Sequence, residues 1–229
     1  MSFSTARVIA IVTTVTAGVL FTGGRLSASR ALSFDVPNAE AAEPLASVSG
    51  KETAVFAGGC FWGIDAVFRH VKGVSAVSSG YAGGTRVAPD YEQVSSGTTG
   101  HTESVQVIFD PSVVTYSQLL QVFFSVHNPT ELNRQGPDHG TQYRSAVFYT
   151  SDSQKKAVDA YIAQMAREKT FKDPIVTQVA PLAKYWAAEE YHQNYFAQHP
   201  NQPYIVINDA PKVALLKKRF PSLYKESLE

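Results

Sequence analysis

The stretch "TAVFAGGCFWGIDAVFRHV" (Thr53 to Val71) constrains the fold more than any other part of the chain. Its first residues form a short apolar run closed by Gly58 and Gly59, as a buried strand would be. Beyond Cys60 the apolar residues Phe61, Ile64, Phe68 and Val71 recur at helical spacing. The backbone must therefore turn from strand to helix at the cysteine. Later segments repeat the alternation: "ESVQVIFD" (103 to 110) alternates as a strand, and "YSQLLQVFFSVH" (116 to 127) reads as an apolar helix. "RSAVFYT" (144 to 150) is a further strand, followed by a helix that Ser151 or Ser153 can cap. "IVTQVA" (175 to 180) reads as strand, and "AAEEYHQNYFAQH" (187 to 199) as a helix stopped by Pro200. This order predicts an α+β fold, a mixed sheet with helices packed on it around a split βαβ (ferredoxin-like) core. Long glycine-bearing loops are expected around the site.

The first fifty residues differ from the rest. No acidic residue occurs before Asp35, and Arg7 precedes the apolar run "VIAIVTTVTAGVLF" (8 to 21), which is short for a membrane span. The pattern predicts export, to the periplasm or as an anchor facing outside. Ala39-Glu40-Ala41 is one cleavage point and Ser27-Ala28-Ser29 an earlier one. An organelle transit peptide is the alternative, since Arg25 and Arg30 stand among serines. Residues 1–50 are thus expected to be signal or anchor plus flexible linker, and 51–229 a single catalytic domain. Lys and Arg number 20, as do Asp and Glu, with no basic stripe, which argues against nucleic acid as a partner.

A single cysteine among 229 residues excludes an internal disulfide framework and a cysteine-rich zinc site. The histidines show no metal-ligand spacing either. At a helix N-terminus the backbone N–H groups and the dipole favour an anion, so the thiol of Cys60 is expected to ionise more easily than usual. The plainer reading is a buried cysteine serving as a small hydrophobe. Phe61 and Trp62 beside the turn can line an apolar pocket or simply fill core.

Two further clusters carry polar groups. Glu103 shares strand parity with Val105, Val107 and Phe109; if it is buried there, desolvation raises its pKa and makes it a proton donor. If the strand starts one residue later, Glu103 is solvated. The loop "QGPDHGTQYRS" (135 to 145) brings Asp138, His139, Gln142, Tyr143 and Arg144 together, either as a binding loop or as a solvated turn.

The motifs "GGCFWG", "GYAGG", "YEQVSSGTTGHTESV", "HNPTELNRQGPDHGTQYRSAVFY" and "AEEYHQNY", in this order from about Thr53 to Pro200, resemble the peptide methionine sulfoxide reductases of the A class. The resemblance implies thiol-dependent reduction of methionine S-sulfoxide, in proteins or free. It makes Cys60 the nucleophile that becomes a sulfenic acid, Glu103 the acid, and Tyr91 and Tyr143 the donors to the substrate oxygen. Phe61 and Trp62 match the aromatics that receive the methyl group, while Asp138 and His139 fall in the substrate-binding loop. It implies no bound cofactor and an external thiol reductant: thioredoxin, glutaredoxin with glutathione, or dithiothreitol. The chain is expected to act as a monomer.

Two rival classes remain. A cysteine hydrolase or acyltransferase would use Cys60 with His101, His127, His139 or His192 as base, and an aromatic-rich binding module would use the cysteine only for packing. The chain also departs from the family pattern. Ala88 stands before Pro89 where many relatives have asparagine, and Ile205 stands after Tyr204 where relatives with a recycling cysteine often have it.

Overall fold

The computed structural model describes residues 34–226. In chain order the elements are β1 (Glu52–Gly58), α1 (Phe61–Arg69), β2 (Val74–Ala82), α2 (Tyr91–Ser95), β3 (Thr102–Phe109) and α3 (Tyr116–Val126). A two-residue ribbon follows, β4 (Arg134–Gln135) and β5 (Asp138–His139), then β6 (Ser145–Tyr149) and α4 (Asp152–Arg167). The chain continues through β7 (Gln178–Pro181), β8 (Tyr185–Ala187), α5 (Tyr195–Gln198) and, after a π-helical turn at Ile205–Asp209, α6 (Ala210–Arg219).

Six strands form one mixed sheet in the order β7-β6-β1-β3-β2-β8. Only β6 and β7 pair in parallel; β3 lies antiparallel between β1 and β2, with α1 as the crossover. β1 is central, and Val55, Phe56 and Ala57 are buried on its two faces. One face packs on α1, α3 and α4, where Phe56 stacks on Phe68 at 5.0 Å and on Phe123 at 4.9 Å. The other face holds a smaller cluster around Val55, Ala82 and Phe148. Thr115 and Gln118 close a capping box at the start of α3, and Ser151 caps α4 as the sequence predicts.

Two expectations are corrected. Residues 187–199 do not form one helix: Tyr185–Ala187 pair with β2, a 3₁₀ turn spans Glu190–His192, and Asn194 takes a left-handed φ of 50° before the four residues of α5. The helical spacing there serves two short turns, of which the first buries His192. Residues 34–50, expected as flexible linker, instead lie along the domain. Val36 is buried, the Tyr161 hydroxyl donates to Pro37 O at 2.6 Å, the Gln164 amide donates to Asn38 O at 2.9 Å, and Ser117 donates to Glu43. The apolar run at 8–21 lies outside the described residues, among which no helix is long and apolar enough to cross a membrane.

Candidate active site

Cys60 stands at the N-cap position of α1, and Gly59 makes the turn possible. Gly59 has φ +94°, and a Cβ there would come within 2.6 Å of the Gln135 side chain. Cys60 is 9% exposed. The register Tyr81↔Glu103, two residues beyond the last β1 partner pair of Phe56 and Val105, carries the Glu103 side chain past the end of that pairing to the start of α1. There the Phe61 N–H donates to Glu103 Oε2 at 3.0 Å. Glu103 is 2% exposed, so the buried alternative for this residue holds.

The electrostatics reverse one expectation. Burial pushes the Cys60 thiol well above its usual range, helped by the Glu103 and Asp209 charges. The Trp62 N–H and Lys212 pull the other way without offsetting it. Desolvation thus outweighs the helix terminus. Burial also pushes Glu103 up to about 8, although the Phe61 N–H and a hydrogen bond with Cys60 oppose the shift. Near pH 7 both groups hold their protons. The Tyr91 and Tyr143 phenols are raised by burial first and then by the Glu103 charge, with Cys60 adding to both, so these four groups share one site.

Aromatic rings wall it. Trp62 stacks on Tyr195 at 3.8 Å, and His192 lies 5.0 Å from Phe61 and 4.4 Å from Tyr91. The Trp62 indole N–H donates to His192 Nδ1 at 3.2 Å, which fixes the proton of the neutral ring on Nε2. That nitrogen is buried and has no hydrogen-bond partner among the described residues. Asp138, half-buried on β5, accepts the Tyr204 hydroxyl. His139, the next residue, is exposed, so the structure does not bring it into this cluster. Strand alternation sends neighbours to opposite sides.

Several supporting residues escape a reading of the sequence. Glu189 accepts the Tyr91 N–H at 2.8 Å with one carboxylate oxygen and the Tyr81 hydroxyl at 2.8 Å with the other, fixing the start of α2. Tyr204 reaches Asp138 across 66 positions, and Asp209 pairs with Lys212 at 2.9 Å behind α1. Only the quoted motif "AEEYHQNY" marked Glu189 as worth attention.

A buried thiol and a buried carboxyl group that keeps its proton, set together inside an aromatic wall, fit the class of cysteine-dependent oxidoreductases. Comparison with known proteins gives this class its family. Residues 52–223 match the family model described as peptide methionine sulfoxide reductase, and the chain belongs to that family. It is 56% identical over 178 residues to "Peptide methionine sulfoxide reductase MsrA 2" of Mesorhizobium japonicum, covering 77% of this chain and 91% of the relative. It is 49% identical over 172 residues to "Peptide methionine sulfoxide reductase MsrA" of Chromobacterium violaceum, covering 75% and 98%. Among solved structures, methionine sulfoxide reductase A of Corynebacterium diphtheriae superposes with a TM-score of 0.60 at 33% identity, covering 73% of this chain and 84% of that one.

Proposed function

We propose that this chain reduces methionine S-sulfoxide, free or within proteins, to methionine at the expense of an external thiol. The buried pair of Cys60 and Glu103 carries the reading. A sulfoxide oxygen leaves sulfur only when protonated, and a carboxyl group with a pKa of about 8 keeps the required proton at neutral pH. Cys60 attacks the substrate sulfur while Glu103 protonates the oxygen, and the thiol proton of Cys60 replaces the one Glu103 gave. The oxygen passes from one sulfur to the other, so Cys60–SH becomes Cys60–SOH and the sulfoxide becomes a thioether. The substrate sulfur gains the two electrons that Cys60 loses. Tyr91 and Tyr143 donate to the oxygen as charge develops. Phe61 and Trp62 receive the methyl group, and Asp138 supports the polar side.

With one cysteine in the chain, return of the sulfenic acid to thiol requires sulfur from outside, from thioredoxin, glutaredoxin with glutathione, or dithiothreitol. The hydrolase reading lacks its base, since His139 is exposed and stands outside the cluster. His127 is buried between Phe123 O and Ser145, with burial pushing it down to about 4. His101 is held by the Gly84 N–H and Arg86 O, and His192 by Trp62. Export is part of the proposal, supported by the acid-free, apolar N-terminus.

Incubation with the separate S and R epimers of methionine sulfoxide and dithiothreitol tests this function. Only the S epimer is consumed, since each epimer has its own enzyme class. Equal turnover of both would contradict the assignment.

A further inference from the structure

The sulfur of Cys60 lies at the inner end of a cavity. A cavity of about 60 Å³ reaches Cys60 between Gln135, Gly136, Asp138, Tyr204, Ile207 and Lys212. It shares Asp138 with the substrate site, whereas Glu103, Tyr91, Tyr143, Phe61 and Trp62 are not among its walls. Ile207 is 55% exposed and forms the rim, whereas Cys60 is 9% exposed, so the cavity leads from solvent to the sulfur.

A charge is built into the wall. The Lys212 ammonium, whose side chain is 16% exposed, donates to Asp209 Oδ1 at 2.9 Å, its sole hydrogen-bond partner among the described residues. An ammonium carries three donors, so two remain for whatever enters. Asp209 is fully buried against Gly63 of α1, where any Cβ would collide with its carboxylate, and the π-helical turn Ile205–Asp209 delivers it there. A buried ion pair seldom stabilises a fold over apolar packing. This one holds a cation with unspent donors beside a reactive sulfur.

We propose that this cavity is the entry through which a low-molecular-weight thiol reaches oxidised Cys60, with Lys212 holding the incoming sulfur as thiolate. The proposal rests on the sulfoxide-reductase reading above. Displacement at a divalent sulfur runs in line, so the attacking thiolate must come from the side away from the departing oxygen. That oxygen is held by Glu103 and the two tyrosines, none of which lines the cavity. In the first step RS⁻ attacks Cys60–SOH, the S–S bond forms, the S–O bond breaks, and a proton from Glu103 lets the oxygen leave as water. A second thiolate then attacks the mixed disulfide, giving RSSR and returning Cys60 to the thiol with a proton from solvent. Two thiols are oxidised for each sulfenic acid reduced. A cavity of about 60 Å³ has room for one small thiol.

The two half-reactions can be timed in one sample: methionine release from S-sulfoxide without thiol, then loss of the sulfenic acid on adding 2-mercaptoethanol. Ile207→Trp fills the rim at an exposed position and should lower the ratio of the second rate constant to the first by roughly tenfold or more, the scale on which misplaced reacting groups act. A ratio equal to that of the wild type overturns the entry, as does an equal fall in both steps. The pair Asp209→Asn with Lys212→Met should move the pH profile of the second step upward to follow ionisation of the free thiol, while Lys212→Arg keeps it low. A profile that stays low in the paired variant overturns the role of Lys212. Wild-type protein that releases no methionine would overturn the sulfoxide reading itself, and the entry with it.

Discussion

The Glu103 carboxylate accepts the backbone N–H of Phe61 at 3.0 Å, so the first donor of α1 serves the acid and not the sulfur of Cys60. The helix terminus thereby fixes Glu103 at the start of α1, next to Cys60 in the chain's turn, while burial keeps its proton in place. Glu103→Gln keeps the shape and loses the transferable proton, and should lower sulfoxide reduction by roughly 10²–10⁴-fold. Tyr91→Phe and Tyr143→Phe should each cost less, because two hydroxyls share one oxygen. Single-turnover rates measure all three, and an unimpaired Gln variant removes Glu103 from the mechanism.

The same carboxyl group sets two pH dependences. In the proposed mechanism Glu103 acts in its protonated form, so the rate should fall as pH rises through about 8. For stability the native state keeps a proton that the unfolded chain releases near 4.5. The stabilisation from this group is therefore fully present below that value and is lost as pH rises towards about 8. Glu103→Gln lacks this loss and should gain stability relative to wild type between those limits, as read by urea unfolding at several pH values. A constant difference would show that Glu103 titrates normally.

How much of this was legible in the sequence depended on the range of the interaction. Strand parity alone put Glu103 on the face of Val105, Val107 and Phe109, and the switch of period at Cys60 marked the strand-to-helix turn. Both are local patterns. The ionisation of Cys60 is not legible locally, because the dipole is local whereas the desolvation that outweighs it comes from distant elements. Spacing could not separate one helix at 187–199 from a strand end and two turns, because the pairing of Tyr185–Ala187 with β2 is a tertiary contact. The composition of residues 34–50 resembles a linker, and only the groups awaiting them on α3, α4 and α6 order that segment.

Glu189 holds Tyr91 through its backbone N–H and Tyr81 through its hydroxyl. Glu189→Ala removes both acceptors and lets the start of α2 shift, so kcat should drop while Cys60 still alkylates at the wild-type rate. Glu189→Gln keeps one acceptor oxygen and should recover part of the loss. Equal kcat in all three proteins would mean that α2 is fixed by other contacts.

Ala88 has φ 46°, a left-handed conformation that asparagine adopts more readily than alanine. Ala88→Asn should therefore stabilise the fold by about 0.5 kcal/mol, within the range of such backbone effects. Thermal unfolding of the two proteins checks it, and a lower melting temperature for the variant contradicts the strain.

Cleavage after Ala41 would discard Phe34 to Ala41. That segment buries Val36, places Pro37 O on the Tyr161 hydroxyl, and bonds Arg219 to Phe34 O and Asp35. The native N-terminus should thus lie before Phe34, as Ser27-Ala28-Ser29 allows, and protein beginning at Ala42 should lose about 2 kcal/mol of stability from lost burial and hydrogen bonds. N-terminal sequencing of the native protein decides, and a start at Ala42 would refute it.

The central claim is that sulfoxide reduction leaves its oxygen on Cys60. Mass spectrometry after one turnover with S-sulfoxide and no thiol tests this most directly. The account predicts at most one methionine per chain and a protein heavier by one oxygen, which dimedone labels at Cys60. An oxidised monomer of unchanged oxygen content that ignores dimedone while methionine is released would contradict it.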